Sequence, residues 1–478
     1  MERMSPLDAG FLDLEDADRH ASLAIASVAV FEGPAPSYEE FLAAVAGRLP
    51  LVPRYRQKVR RLPLDLGRPV WVDDPHFDLL YHIRQTALPA PGGQEQLRHL
   101  IERVMAQRLD RERPLWESWL AEGLQDGRWA VLTKVHHCMM DGVSGTDLFR
   151  LFFDTSPEPF AGVEDDWAPT PEPSMLRLTA EALGELAVSP LEQVRALRDA
   201  LRTPGELIRH TIDTAHGLAA LAGALMPTNS SSLSGPVGRS RRYRWVRAPF
   251  ADVDAVRRQL GGTVNDVVLA AVTGAFRGLL LARGEPPGPH VIRTLVPVSV
   301  RAAGERGVFD NRVSLLLADL PVDVADPVER LAAVRAHLAA LKTSKEAEAG
   351  EAMTQVARYE PFPLVSLGMR LLFRMPQRNV VTVTTNIPGP RQPIYALGRR
   401  VLEILPYVPI ATTVRVGIAV FSYCDEVTFG ITGDRDSTAD IDVLAGGITD
   451  SLAELVEAAR RKTAPARRKT AARRKTAV

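Results

Sequence analysis

The chain has 478 residues, 46% of them hydrophobic, enough for a sizeable core and for two or three domains. Its two cysteines, Cys138 and Cys424, are too few for a disulfide framework or a cysteine-built metal cluster, so a reducing compartment is expected. Lysine plus arginine matches aspartate plus glutamate at 58 each, but nine of the basic residues and no acidic one lie from Arg460 onward. The remainder therefore carries about nine negative charges, which argues against a body built to bind specific nucleic acid. The amino-terminal stretch MERMSPLDAGFLDLEDADRH lacks the apolar segment of a secretory signal. No run of about 18 uncharged apolar residues is present, so no membrane-crossing helix is expected.

Four blocks follow in chain order. The first, residues 1–154, holds a helix pattern in SYEEFLAAVAGRLPLVPRY, with Phe41, Leu42, Val45 and Leu49 at helical spacing. GGQEQLRHLIERVMAQRLD is a second helix pattern, and RWAVLTKV suits a buried strand. Residues 155–242 form a connector. It begins with the Pro- and acid-rich DTSPEPFAGVEDDWAPTPEPS, continues as a Leu/Ala-rich helical stretch broken at Pro190 and Pro204, and ends in a polar loop. In the third block, residues 243–459, GGTVNDVVLAAVTGAFRGLLLARG is a loop feeding a helix, capped by Thr263 or Asn265. HVIRTLVPVSVR, RVSLLLADLPV and NVVTVTTNIPGP are strand-like. RVGIAVFSYCDEVTFGITGD reads as a hairpin, and ADIDVLAGGITDSLAELVEAARRK as a helix. Residues 460–478 form a basic, disordered tail that repeats Arg-Arg-Lys-Thr. Strands mixed with helices in both flanking blocks indicate an α/β or α+β fold.

The chemically suggestive stretch is TKVHHCMMDGVSG, which holds His136, His137, Asp141 and Gly142. If a strand runs into it, alternation puts Val131, Thr133, Val135 and His137 on one face, and Ala130, Leu132, Lys134 and His136 on the other. Adjacent histidines then cannot easily serve one site. One reading is a neutral histidine acting as general base on a hydroxyl, with Asp141 ordering the loop and Gly142 permitting close approach. The other is a buried, hydrogen-bonded pair beside an ordinary Asp-Gly turn. No G-x-S-x-G elbow is present, so direct transfer without a covalent intermediate fits better. H-E-x-x-H is absent and no third ligand is evident nearby, so no metal is expected.

His136, His137, Asp141 and Gly142 match the HHxxxDG motif of the coenzyme A-dependent acyltransferase superfamily. Around it, MSPLDAGFL (4–12), RPLWE (113–117), SLSGPVG (232–238), GGTVNDVVLAAV (261–272), LVPVSVR (295–301) and TTNIPGP (384–390) occur in order. Together these segments resemble bacterial wax ester synthase/diacylglycerol acyltransferase bifunctional enzymes over residues 4–458. The chain departs from the family pattern at Ser234, where Asn is frequent, and at Ile387, where Val is common.

The resemblance implies two chloramphenicol-acetyltransferase-like domains, each a mixed sheet with helices, and a tunnel between them. Acyl-coenzyme A enters as co-substrate from one side and a diacylglycerol or fatty alcohol from the other. The second histidine, His137, is then the base. No permanently bound cofactor is implied. Lipid substrates imply a cytoplasmic protein peripheral to the membrane or to lipid droplets.

The remaining motifs each have two readings. Asn265 and Asp266 either cap a helix or, for Asn265, donate a hydrogen bond to the oxyanion. Pro114, Leu115 and Trp116 are either a rigid turn with a core aromatic or part of the channel wall. Asn386, Pro388 and Gly389 either set a turn after a strand or border the site. Arg301 is expected to pair with Asp141 and orient the loop. His210–Pro227 is either a core helix or an interfacial patch. The basic tail is either a solvated extension or an anchor for anionic lipid or another polyanion. Two rival functions remain at this stage. One is an acyltransferase or condensation enzyme for a polyketide, sugar or carrier-bound acceptor. The other is a non-catalytic protein that binds a lipid surface or a polyanion.

Overall fold

A computed structural model describes residues 2–63, 66–139, 151–181, 231–299, 313–343 and 380–463. The elements before the connector are β1 (Glu2–Arg3), α1 (Pro6–Ala17), β2 (Ala24–Phe31), α2 (Tyr38–Ala46), β3 (Gln57–Arg60), β4 (Val70–Asp73), α3 (Leu79–His82), β5 (Ile83–Ala87), α4 (Gln94–Met105), β6 (Trp116–Glu122) and β7 (Trp129–His136). After it come β8 (Arg241–Pro249), α5 (Phe250–Leu260), α6 (Val264–Ala282), β9 (Ile292–Ser299), β10 (Val313–Leu320), α7 (Pro327–Thr343) and β11 (Thr382–Pro388). The last are β12 (Tyr395–Ala396), β13 (Arg399–Tyr407), β14 (Val416–Tyr423), β15 (Glu426–Asp434) and α8 (Ile441–Thr463).

Two six-stranded sheets organise these elements. One has the order β12-β13-β2-β7-β6-β5 and the other β10-β9-β11-β14-β15-β8; β1, β4 and β3 form a small third sheet. Both large sheets are mixed: β5 runs parallel to β6, and β11 runs parallel to both β9 and β14, among antiparallel neighbours. This is the expected α/β arrangement. Each sheet has its own apolar core, one around Phe31, Trp116 and Trp129, the other around Val268, Phe276, Ile418 and Phe429.

The helix starts follow local chemistry. Ser5 caps α1 by accepting from the Asp8 amide at 3.2 Å, and Pro6 occupies the first turn, where its missing N–H costs nothing. Ser37 and Glu40 cap α2 reciprocally. α6 is the one helix among the described residues long and apolar enough to cross a membrane. It instead fills the second core, with Val267 through Val272 fully buried.

Three features differ from the sequence-based boundaries. First, the second half lends a strand to the first sheet: β13 pairs with β2, from Val401 opposite Phe31 to Tyr407 opposite Ala26. Its Val401, Ile404, Leu405 and Tyr407 belong to the first core, so residues 243–459 do not form a self-contained half. Second, the acid-rich connector is strapped down. Asp165 pairs with Arg56, Glu172 pairs with Arg60, and the Thr170 amide donates to Asp73 at 2.9 Å. Third, Arg460, Arg461 and Lys462 are the last turn of α8 rather than tail. Lys462 Nζ donates to the Gln259 carbonyl at 2.9 Å, as suits a cation at a helix C-terminus. Pro190, Pro204 and the stretch 210–227 lie outside the described residues, as do residues 464–478 of the tail.

Candidate active site

Strand β7 is buried along its whole length. Lys134 and His136 share one face, as alternation requires. Lys134 Nζ, with no exposure, donates to the carbonyls of Val104 and Gln107 and pairs with Glu117 at 3.1 Å. The strand ends at His136, and His137 opens a single 3-10 turn, His137–Met139. The two histidines therefore point into different surroundings, and the change of backbone, not the strand pleat, separates them.

Two carbonyls hold the pair by its main chain. The His136 amide donates to Leu115 O at 2.9 Å, and the His137 amide to Leu23 O at 3.0 Å. The His136 side chain is 1% exposed and faces Glu15, with Nε2 3.5 Å from Oε2. Its Nδ1 accepts from the Cys138 amide at 3.2 Å, which leaves the ring proton on Nε2, close to Glu15 but outside hydrogen-bond geometry. Burial pushes the His136 imidazole below the ordinary histidine range, although Glu15 opposes this, so the ring is neutral at pH 7. Burial would raise Glu15, but His136, the Arg111 guanidinium and the Leu23 amide outweigh it and hold the carboxyl at about 2.

His137 is half-buried. Its imidazole lies against the Phe11 ring, with centroids 4.1 Å apart and planes tilted by 34°. Phe11 and Leu14 pack on a small apolar cluster of Ala21, Leu23 and Ala411, the last contributed by the second half of the chain. His137 thus sits beside the junction of the halves.

In the second half, Thr263 accepts from the Asp266 amide at 3.2 Å and Asp266 Oδ2 accepts from the Thr263 amide at 2.7 Å. Thr263 is therefore the cap of α6, and Asp266 is committed to the capping box. Asn265, half-buried between them, accepts at Oδ1 from Asn386 Nδ2 at 3.4 Å. The structure thus brings together two asparagines that the sequence presented separately. Gly389 is required where it stands: a Cβ there would lie 2.1 Å from Ser422 O. Its amide donates to Ser422 Oγ at 3.2 Å, and Pro388 closes β11, so this pair sets the turn.

Pro114, Leu115 and Trp116 are buried, the last two completely. Trp116 is a core aromatic. Its indole N–H donates to Tyr55 O at 2.8 Å, and it stacks on His82 at 4.6 Å. The segment reaches the site through its main chain, because Leu115 O holds the His136 amide. Asp141, Gly142 and Arg301 lie outside the described residues. A cavity of about 700 Å³ borders Gly262, Thr263, Asp266, Arg335 and Leu338 and shares no lining residue with the histidine pair.

The wax ester synthase/diacylglycerol acyltransferase catalytic domain matches residues 4–268, and the C-terminal domain of the same family matches residues 309–456. A probable diacylglycerol O-acyltransferase of Mycobacterium tuberculosis is 44% identical over 469 residues, 98% of each chain. The chain belongs to the wax ester synthase/diacylglycerol acyltransferase family. A second M. tuberculosis relative, a putative diacylglycerol O-acyltransferase, is 35% identical over 95% of this chain and 91% of its own. Among solved structures, the wax ester synthase/diacylglycerol acyltransferase of Marinobacter aquaeolei VT8 superposes with a TM-score of 0.65 at 26% identity, covering 96% of this chain and all of that one. The first condensation domain of the calcium-dependent antibiotic synthetase shares the fold, with a TM-score of 0.58 at 15% identity over 95% of this chain and 96% of its own.

Within this wax ester synthase/diacylglycerol acyltransferase chain, sequence reasoning singled out the two histidines but assigned no role to Phe11 or Glu15. Both lie on α1, and their i, i+4 spacing puts them on one helical face. The available signal was an acid among the apolar residues Phe11, Leu12 and Leu14, but the stretch was not read as a helix and the sequence did not show what it meets.

Proposed function

We propose that the chain transfers a long-chain acyl group from coenzyme A to the free hydroxyl of a diacylglycerol, with His137 as general base. The observation that carries this reading is the asymmetry of the pair. His136 is turned into a buried carboxylate, whereas His137 is half-buried against Phe11 beside the junction of the halves. His137 takes the hydroxyl proton and the alkoxide oxygen attacks the thioester carbonyl. The tetrahedral intermediate collapses with cleavage of the C–S bond, and the proton passes from His137 to the departing sulfur, giving coenzyme A and triacylglycerol. A fatty alcohol in the acceptor position gives a wax ester by the same steps.

Asn265 serves the oxyanion. Accepting from Asn386 at Oδ1 orients its amide so that Nδ2 is presented as a donor, and a preorganised donor of this kind is worth about 3 kcal/mol. A water-insoluble acceptor favours a peripheral position on the cytoplasmic face of a membrane or on a lipid droplet, where the basic residues beyond α8 would add electrostatic adhesion.

The test is thin-layer analysis of products from palmitoyl-coenzyme A offered diacylglycerol and hexadecanol together. Triacylglycerol as the main product supports the reading. Acylation of neither acceptor contradicts it.

A further inference from the structure

Between α1 and β2, residues 18–23 pass directly under the histidine turn, and the structure holds them from several sides. Arg108 Nε donates to Ala21 O at 2.8 Å, Arg241 Nη2 donates to His20 O at 2.7 Å, and the Thr412 amide donates to Asp18 Oδ2 at 3.2 Å. From the last turn of α1, just before this loop, Glu15, 1% exposed, reaches Leu23 at the loop's far end. Its Oε1 accepts from the Leu23 amide at 2.9 Å, and Leu23 O accepts the His137 amide. Its Oε2 faces His136 Nε2, and the same His136 ring accepts the Cys138 amide. One carboxylate therefore faces the imidazole of the residue before His137 at ion-pair distance and holds by hydrogen bond Leu23, the loop residue whose carbonyl accepts the His137 amide. His136, the paired Arg111 and the Leu23 amide together outweigh its burial and keep it ionised.

We infer that Glu15 is the positioning residue of this centre, fixing the His137 turn from both sides through Leu23 and His136 without touching substrate. The inference rests on His137 being the base. Its physical basis is that a misplacement of about 1 Å in a general base can cost on the order of a hundredfold in rate. Nothing in the arrangement binds either substrate, so the loss belongs in kcat and not in KM.

Three full-length variants test it: Glu15→Gln, Glu15→Ala and His137→Ala. Coenzyme A release from palmitoyl-coenzyme A with diacylglycerol is followed at a temperature where circular dichroism shows each variant folded, and is normalised to folded protein. Gln keeps an oxygen for the Leu23 amide but turns an NH2 group toward the Nε2–H of His136, and Ala loses both contacts. The expected order is wild type above Gln, down about tenfold, above Ala, down about a hundredfold, with KM within about twofold throughout. Histidine side-chain nitrogen NMR of Glu15→Gln should show the His136 ring losing its fixed Nε2–H tautomer. If Glu15→Ala fails to fold, the Gln variant and its NMR signature decide alone. A Gln variant with wild-type kcat, or one whose kcat and KM change together, overturns the inference. His137→Ala separates the two readings. Retained turnover there sinks the base itself, whereas a dead His137→Ala beside a fully active Glu15→Gln sinks only the role of Glu15.

Discussion

At the scale of single residues, the HH pair shows what sequence reasoning can and cannot reach. Alternation along a strand separated His136 from His137 and put His136 on the face of Lys134, which is where it lies. It did not show that the strand stops at His136, nor that the neighbouring wall is a glutamate more than 100 residues earlier. Glu15 carries a pH dependence of its own. Its carboxyl sits at about 2 instead of its usual 4.5, so its contribution to stability, up to about 3 kcal/mol, is complete above pH 4.5 and is lost as pH falls toward 2. In acid titrations followed by circular dichroism, the stability advantage of wild type over Glu15→Gln should shrink as pH falls from 4.5 toward 2. For Asn265, replacement by Ala should lower kcat by about a hundredfold at similar KM, the cost of one oxyanion donor. An unchanged kcat would remove it from the mechanism.

Among the elements, those with strong local signals were legible. The helical spacing in 94–105, a helix from 264 capped by Thr263 or Asn265, and the hairpin of 416–434 were readable and are present, with Thr263 as the cap and Asp266 completing its box. The cap also resolves the Asn265/Asp266 pair, because Asp266 works on the main chain while the Asn265 side chain meets Asn386. Asp266→Ala should therefore cost about 1 kcal/mol in denaturant unfolding, the worth of a helix cap. α1 went unread as a helix because its apolar positions are interleaved with acids that are buried against distant, partly exposed arginines. Asp13 pairs with Arg61 and Glu15 with Arg111, contacts that no local pattern contains. The Pro-Leu-Trp segment was legible as a core aromatic, but its carbonyl contact with His136 was not, since backbone pairing depends on register.

For the whole molecule, the donated strand β13 ties the halves together and could not have been read from the chain. Its composition suits either core, and only the tertiary fold decides. Where it crosses the second sheet, Tyr243 Oη donates to Pro406 O at 2.7 Å, and a Cβ on Gly430 would lie 1.8 Å from that same carbonyl. Gly430→Ala should push β13 off the second sheet and cost roughly 3 kcal/mol, seen as a lower melting temperature in a single transition. Deleting residues 464–478, which leaves α8 intact, should weaken binding to anionic liposomes at low salt while sparing turnover on dispersed substrate. Unchanged binding would remove the tail from membrane adhesion. The central claim is that one histidine of the pair performs acyl transfer, and coenzyme A release by His137→Ala and His136→Ala, each verified as folded, tests it most directly. The account predicts no acceptor-dependent release from His137→Ala and a reduced but measurable rate from His136→Ala. Undiminished release from His137→Ala would contradict it.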